Sequence, residues 1–173
     1  AVQRHLREAR RGVHRDGELV HAREGRVGQA GGAAEVGREL ARGMRPTHLE
    51  TVAKRIAPLG WHIQYRSTEQ DLPSLSERLL ALPVDVVVDH IGSIPPKLGT
   101  DHPAFVALLR MLETGRCWVK LSAAYQLSKM GAPDYSDYQT FARALIAVAP
   151  ERMLWGTNWP HPKVDFMPDD ADL

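Results

Sequence analysis

Polar and ionisable residues stand together at four places: Tyr65 with Arg66, Asp89 with His90, Lys120 with Ser122, and Thr157 with Asn158. Each group closes an apolar run that reads as a strand. In parallel α/β architectures the carboxyl ends of strands are where binding and catalytic sites assemble. No Gly-x-Gly-x-x-Gly or P-loop follows any of these runs, so nucleotide binding has no support. No Gly-x-Ser-x-Gly elbow is present, which leaves serine hydrolysis unsupported. Cys117 opens an apolar run and reads as buried rather than nucleophilic. Trp61, Trp118 and Trp155 fall in strand-like runs and are expected in the core; Trp159 is the tryptophan expected near a ligand.

The elements that must carry these residues follow from periodicity. Thr47 to Glu50 has capping-box spacing, and Leu49, Val52, Ala53, Ile56 and Ala57 make one apolar helical stripe, ended by Pro58 and Gly60. Residues 61–65 read as a short strand. Ser74 to Glu77 is a second capping box, leading to Leu79, Leu80 and Leu82 before Pro83. Residues 84–90 contain Val86-Val87-Val88, a β-branched run suited to a strand buried on both faces. Asp101 is expected to cap a helix bearing Phe105, Leu108, Leu109 and Leu112, closed by Gly115. Residues 117–121 make the third strand. Tyr138, Phe141, Ala142, Leu145, Ile146 and Ala149 predict a last helix, ended by Pro150, and residues 153–157 a fourth strand. The order α-β-α-β-α-β-α-β predicts an α/β fold with a parallel sheet. A piece of a (β/α)8 barrel and a small open doubly wound sheet both satisfy it.

The chain of 173 residues is 43% hydrophobic with a net charge of +1, so its overall balance calls for neither nucleic acid nor an anionic membrane. No apolar run is long enough to span a bilayer and no signal-peptide pattern opens the chain, so a cytoplasmic location is expected. The single cysteine fits a reducing compartment. Residues 1–48 differ from the rest: ten Arg, no Lys and no aromatic residue or Ile. This predicts a domain over 46–173 and a separate Arg/Gly/Ala-rich segment over 1–45. A basic arm for an acidic partner, a solvated segment, and text from a shifted reading frame all fit that segment.

Three motifs then carry a resemblance. Val86-Val87-Val88-Asp89-His90-Ile91-Gly92, Trp118-Val119-Lys120-Leu121-Ser122 with Tyr125-Gln126-Leu127-Ser128, and Leu154-Trp155-Gly156-Thr157-Asn158-Trp159-Pro160-His161-Pro162 together resemble the amidohydrolase-2 family. The resemblance is closest to its 2-pyrone-4,6-dicarboxylate lactonase-like branch. It covers roughly residues 47–170 and implies the C-terminal half of a TIM barrel, strands five to eight. It also implies a hydrolase that directs water at a small cyclic ester or amide, with a carboxylated lactone as the expected substrate.

By that resemblance His90 is the active-site histidine after strand six. Asn158 falls where relatives carry an aspartate that acts as general base; an amide can orient water but cannot hold its proton. Gln126 stands near an arginine position for a substrate carboxylate, and Arg66 is an alternative anion contact if it is not simply solvated. Tyr65, Ser122, Tyr125, Trp159 and His161 complete the expected substrate-binding set. Metal-binding members of the superfamily need a His-x-His pair, which is absent from this sequence, and isolated His90, His102 and His161 do not make a zinc site. No metal or other cofactor is expected. Four strands of a barrel leave two open edges, so a homo-oligomer is expected. The competing reading is a non-catalytic truncated half-barrel that self-associates.

Overall fold

A β-branched run flanked by apolar helices drives the architecture. The structure is a computed structural model that describes residues 48–162 and 164–173. The expectations for residues 1–45 lie outside the described residues, as does Thr47 of the first capping box. Helix α1 spans Leu49–Ile56, β1 Ile63–Tyr65, α2 Leu72–Leu80, β2 Val86–Val88, α3 Pro103–Glu113, β3 Cys117–Leu121, α4 Ser136–Val148 and β4 Met153–Trp155. The strands form one parallel sheet in the order β1-β2-β3-β4. Sequence neighbours are therefore sheet neighbours throughout. A doubly wound sheet reverses its strand order at a switch point, whereas a (β/α)8 barrel does not. The sheet follows the barrel pattern.

Side chains alternate between the two faces of the sheet. Ile63, Val86, Val88, Cys117, Val119 and Met153 are buried and belong to the core built with the helices. Leu79, Phe105, Leu108, Met111, Phe141 and Leu145 meet them from α2, α3 and α4. The opposite face, toward a barrel interior, carries Gln64, Val87, Trp118, Lys120 and Leu154. At the amino end of the sheet, Arg116 donates to the carbonyls of Leu80, Leu82 and Val84 at 3.0, 2.7 and 2.8 Å. It thereby satisfies carbonyls left free where α2 ends.

Several boundaries differ from the sequence expectation. Helix α2 begins at Leu72, with Asp71 at its N-cap position, and Ser74 lies inside the first turn donating to the Asp71 carbonyl. Pro73 explains the shift, because the first turn is where a residue without an N–H is tolerated. His102, not Asp101, caps α3, its Nδ1 accepting from the Ala104 N–H at 3.3 Å ahead of Pro103. Ile146 was expected in the α4 stripe but is exposed. Trp155, expected in the core, is exposed too, because β4 stops there with its indole N–H turned to the Leu173 carbonyl at 3.3 Å.

Phe105 and Phe141 join α3 to α4, their ring centroids 4.5 Å apart and both rings buried. Phe105→Ala removes that pair and leaves a cavity, so urea denaturation should show a loss of about 3–5 kcal/mol. A loss under ~1 kcal/mol would mean that this helix pair is not part of the core in solution.

Candidate active site

The carboxyl ends of the four strands carry three linked groups of side chains. The first is centred on Asp89, directly after β2. Gln64 Nε2 on β1 donates to both carboxylate oxygens, at 3.0 and 2.9 Å, and Lys120 Nζ on β3 lies 3.2 Å from Oδ1. The Asp89 N–H donates to the Tyr65 carbonyl at 3.0 Å, and its own carbonyl accepts from Gly92 at 2.9 Å. Asp89 and Lys120 were legible as strand-end polar residues, but their pairing, and the part of Gln64, were not. Strand parity alone could have placed Gln64 and Lys120 on one face.

Asp89 fixes the start of a tight turn that presents His90. His90, Ile91, Gly92 and Ser93 all have positive φ, between 51° and 68°. Such a run is costly for non-glycine residues, above all for β-branched Ile91, and is a form of strain found at functional sites. Packing holds it: Ile91 is buried, and buried Ser67 donates to the Gly92 carbonyl at 3.1 Å. A Cβ on Gly92 would come within 3.2 Å of Ile94 and Leu72 side-chain carbons, so glycine is needed for space as well as for φ. His90 is buried, with Nδ1 2.8 Å from Ser122 Oγ. The structure thus brings His90 and Ser122 together.

The second group lies over β3 and β4. Asn158 Nδ2 donates to the Tyr125 hydroxyl at 2.8 Å, and His161 Nδ1 is 3.1 Å from the same oxygen. His161 Nε2 meets Asp170 Oδ1 at 2.9 Å, the imidazole being 2% exposed and the carboxylate 51%. Tyr125 and His161 also pack edge to face, with centroids 5.4 Å apart. Asp170 had no signal in the sequence, since it sits in an acidic run nine residues beyond His161.

The third group links the loops. Arg66 Nη2 donates to Gln126 Oε1 at 3.3 Å, and Gln126 Nε2 donates to the Pro162 carbonyl at 3.1 Å. An exposed guanidinium therefore stands beside the position where the resemblance implies an arginine. Two expected residues are not gathered in. Tyr65 shares the Val88 and Val119 row, on the helix face, where burial and the Asp71 carboxylate push its phenol above the ordinary range. Trp159 is 74% exposed. Trp118 lies on the interior face, but Arg152 covers it, the guanidinium carbon 4.5 Å from the ring centroid. Buried Cys117 is no nucleophile: desolvation pushes its thiol up to about 12. A mostly apolar cavity of about 200 Å³ opens beside Ser122, Tyr135, Tyr138 and Trp155; neither His90 nor Asn158 lines it.

Among the described residues no three His, Cys, Asp or Glu side chains converge as metal ligands. The two ring nitrogens of His161 already face Tyr125 and Asp170. The described residues do not by themselves fit a metal centre.

A family model described as Amidohydrolase matches residues 4–173. The chain belongs to this amidohydrolase family. It is 41% identical over 134 residues to a 2-pyrone-4,6-dicarboxylate hydrolase of Comamonas testosteroni, a match covering 72% of this chain and 44% of that protein. It is 36% identical over 127 residues to a 4-sulfomuconolactone hydrolase of Hydrogenophaga intermedia, covering 72% and 42%. The apo crystal structure of an Agrobacterium tumefaciens protein superposes with a TM-score of 0.66 at 34% identity, covering 73% of this chain and 45% of that one. The chain spans less than half the length of the curated relatives it matches. The α/β fold of its described residues is a four-strand part of the (β/α)-barrel, as the motifs implied, and not an open doubly wound sheet.

The Asp89 cluster makes a direct prediction. Lys120→Met keeps the stem but leaves a largely buried carboxylate without its cation. Thermal or urea unfolding should show a loss of about 1–3 kcal/mol, and a neutral result would mean that Asp89 is solvated.

Proposed function

We propose that the chain supplies the catalytic half of a hydrolase that opens a small carboxylated lactone. The observation that carries this reading is the facing arrangement of His90 with Ser122 and of Asn158 with Tyr125 at adjacent strand ends, in a family whose relatives include lactone hydrolases. The buried His90 imidazole is suited to donate a hydrogen bond to the carbonyl oxygen as it gains charge, with Ser122 setting its orientation. Arg66, presented by Gln126, is suited to pair with a substrate carboxylate. The reaction needs no metal on this reading, since water is directed by hydrogen-bonding side chains alone. A cytoplasmic place of action fits the lone buried thiol; among the described residues no helix is long and apolar enough to cross a membrane.

The test is turnover and binding of 2-pyrone-4,6-dicarboxylate. Native protein should bind and hydrolyse it, and His90→Ala should lower kcat/KM by about 10²-fold or more while weakening binding. Asn158→Asp, which puts a carboxylate base at that position, should raise kcat. If native protein and Asn158→Asp both bind without turnover, the second reading holds: a half-barrel that has lost catalysis, which Asn158 itself favours.

We further propose that two copies associate. The two outer strands, β1 and β4, each have one paired edge among the described residues, and open parallel edges favour pairing. Sedimentation at micromolar concentration should give a dimer or larger species. A stable monomer would show that those edges are covered within one chain.

A further inference from the structure

An amide at position 158 leaves the hydrolytic reading without the carboxylate base expected there, yet the structure surrounds that amide with groups able to move a proton. The Tyr125 hydroxyl has one hydrogen and two polar neighbours. Asn158 presents Nδ2 to it at 2.8 Å, which can only donate. The phenol hydrogen is then directed at His161 Nδ1, 3.1 Å away. With Nδ1 accepting, the imidazole hydrogen sits on Nε2 and points at Asp170 Oδ1, 2.9 Å away. The Tyr125 phenol hydrogen and the His161 Nε2 hydrogen thus each have an acceptor in the row Asn158–Tyr125–His161–Asp170. The order of carboxylate, imidazole and hydroxyl is that of a catalytic triad, with a phenol in place of serine. Tyr125 and His161 are both buried, which removes bulk water as a competitor for the proton.

We propose that Tyr125 is the group that takes the proton from the attacking water, with His161 and Asp170 as its positioning residues. This rests on the hydrolytic reading above. As the water oxygen bonds to the lactone carbonyl carbon, one of its protons passes to the Tyr125 oxygen, and the phenol's own proton passes to His161 Nδ1. The carbonyl electron pair moves onto its oxygen, and Asp170 faces the imidazolium so formed. When the tetrahedral intermediate collapses, the ring C–O bond breaks and the departing oxygen receives the proton back from His161 through Tyr125. Water has added across the ester, and no other reactant is consumed. Asn158 supports the relay by its N–H, which holds the phenol oxygen as that oxygen exchanges protons. An aspartate at 158 would claim the phenol hydrogen for itself and leave none for His161, so the two bases are alternatives.

The experiment combines kinetics with nitrogen NMR of the imidazoles on the full chain, using 2-pyrone-4,6-dicarboxylate. His161 should show the Nε2–H tautomer. Tyr125→Phe should lower kcat about a hundredfold or more, with KM within about threefold, and His161→Gln should do the same as a check on folding. Asp170→Asn, on an exposed side chain, should lower kcat by a smaller factor and shift the His161 nitrogen resonances. In the Asn158→Asp background, Tyr125→Phe should cost less than about tenfold, because the carboxylate then serves as base. A native Nδ1–H tautomer overturns the relay, as does full kcat in Tyr125→Phe while the native chain turns over. Absence of turnover by the native chain would sink the hydrolytic reading and the relay's catalytic role together, and so is distinct from failure of the relay alone.

Discussion

The carboxylate of Asp89 is the constraint on which the strand ends depend. It is held by an amide from β1 and an ammonium from β3, while its own backbone bonds β1 and closes the turn after β2. Three strands are therefore locked at one level on the face that the described helices do not cover. Charge-assisted hydrogen bonds of this kind are stronger and more directional than neutral ones. A largely buried carboxylate without them would cost free energy. The same residue that joins the strands also sets where the chain turns left-handed, and so where His90 points.

That turn is an instance of strain held by its surroundings. Four successive residues with positive φ would not persist in a free peptide. Here Ile91 is buried, Ser67 ties down the Gly92 carbonyl, and glycine fills the one position where a Cβ would collide. The loops after β3 and β4 repeat the device on a smaller scale, with positive φ at Ala123, Asn158 and His161. At three strand ends the backbone departs from its preferred region where a polar side chain must be aimed.

The division of labour along the sheet follows from this. The amino end is closed by Arg116 reaching the carbonyls where α2 ends, an arrangement that serves stability. The carboxyl end carries the histidines, the phenol and the amide. Between them lies an apolar core of helices on one face and a mixed face that includes Trp118 and Lys120 on the other. The mixed face is arranged as a barrel lining would be, and the chain covers less than half of the curated relatives to which it is similar.

The sequence by itself determined the alternation of helices and strands, the parallel sheet and the residues at the strand ends. Each of those depends on local periodicity, on proline and glycine stops, and on short contiguous motifs. It also determined that residue 158 is an amide and that Cys117 opens a buried strand. Helix starts were less legible, because Pro73 and Pro103 fix where the first turn begins, ahead of Ser74 in one helix and with the N-cap one residue beyond Asp101 in the other. Periodicity left barrel and doubly wound sheet both open; the motif resemblance implied the barrel, and the strand order, a long-range property, agrees with it. Only the tertiary structure turned Tyr65 to the helix face, left Trp155 and Ile146 exposed, and joined Asp170 to His161, Tyr125 and Asn158. Those last contacts link positions nine to thirty-six residues apart, and no local pattern encodes a partner at that distance.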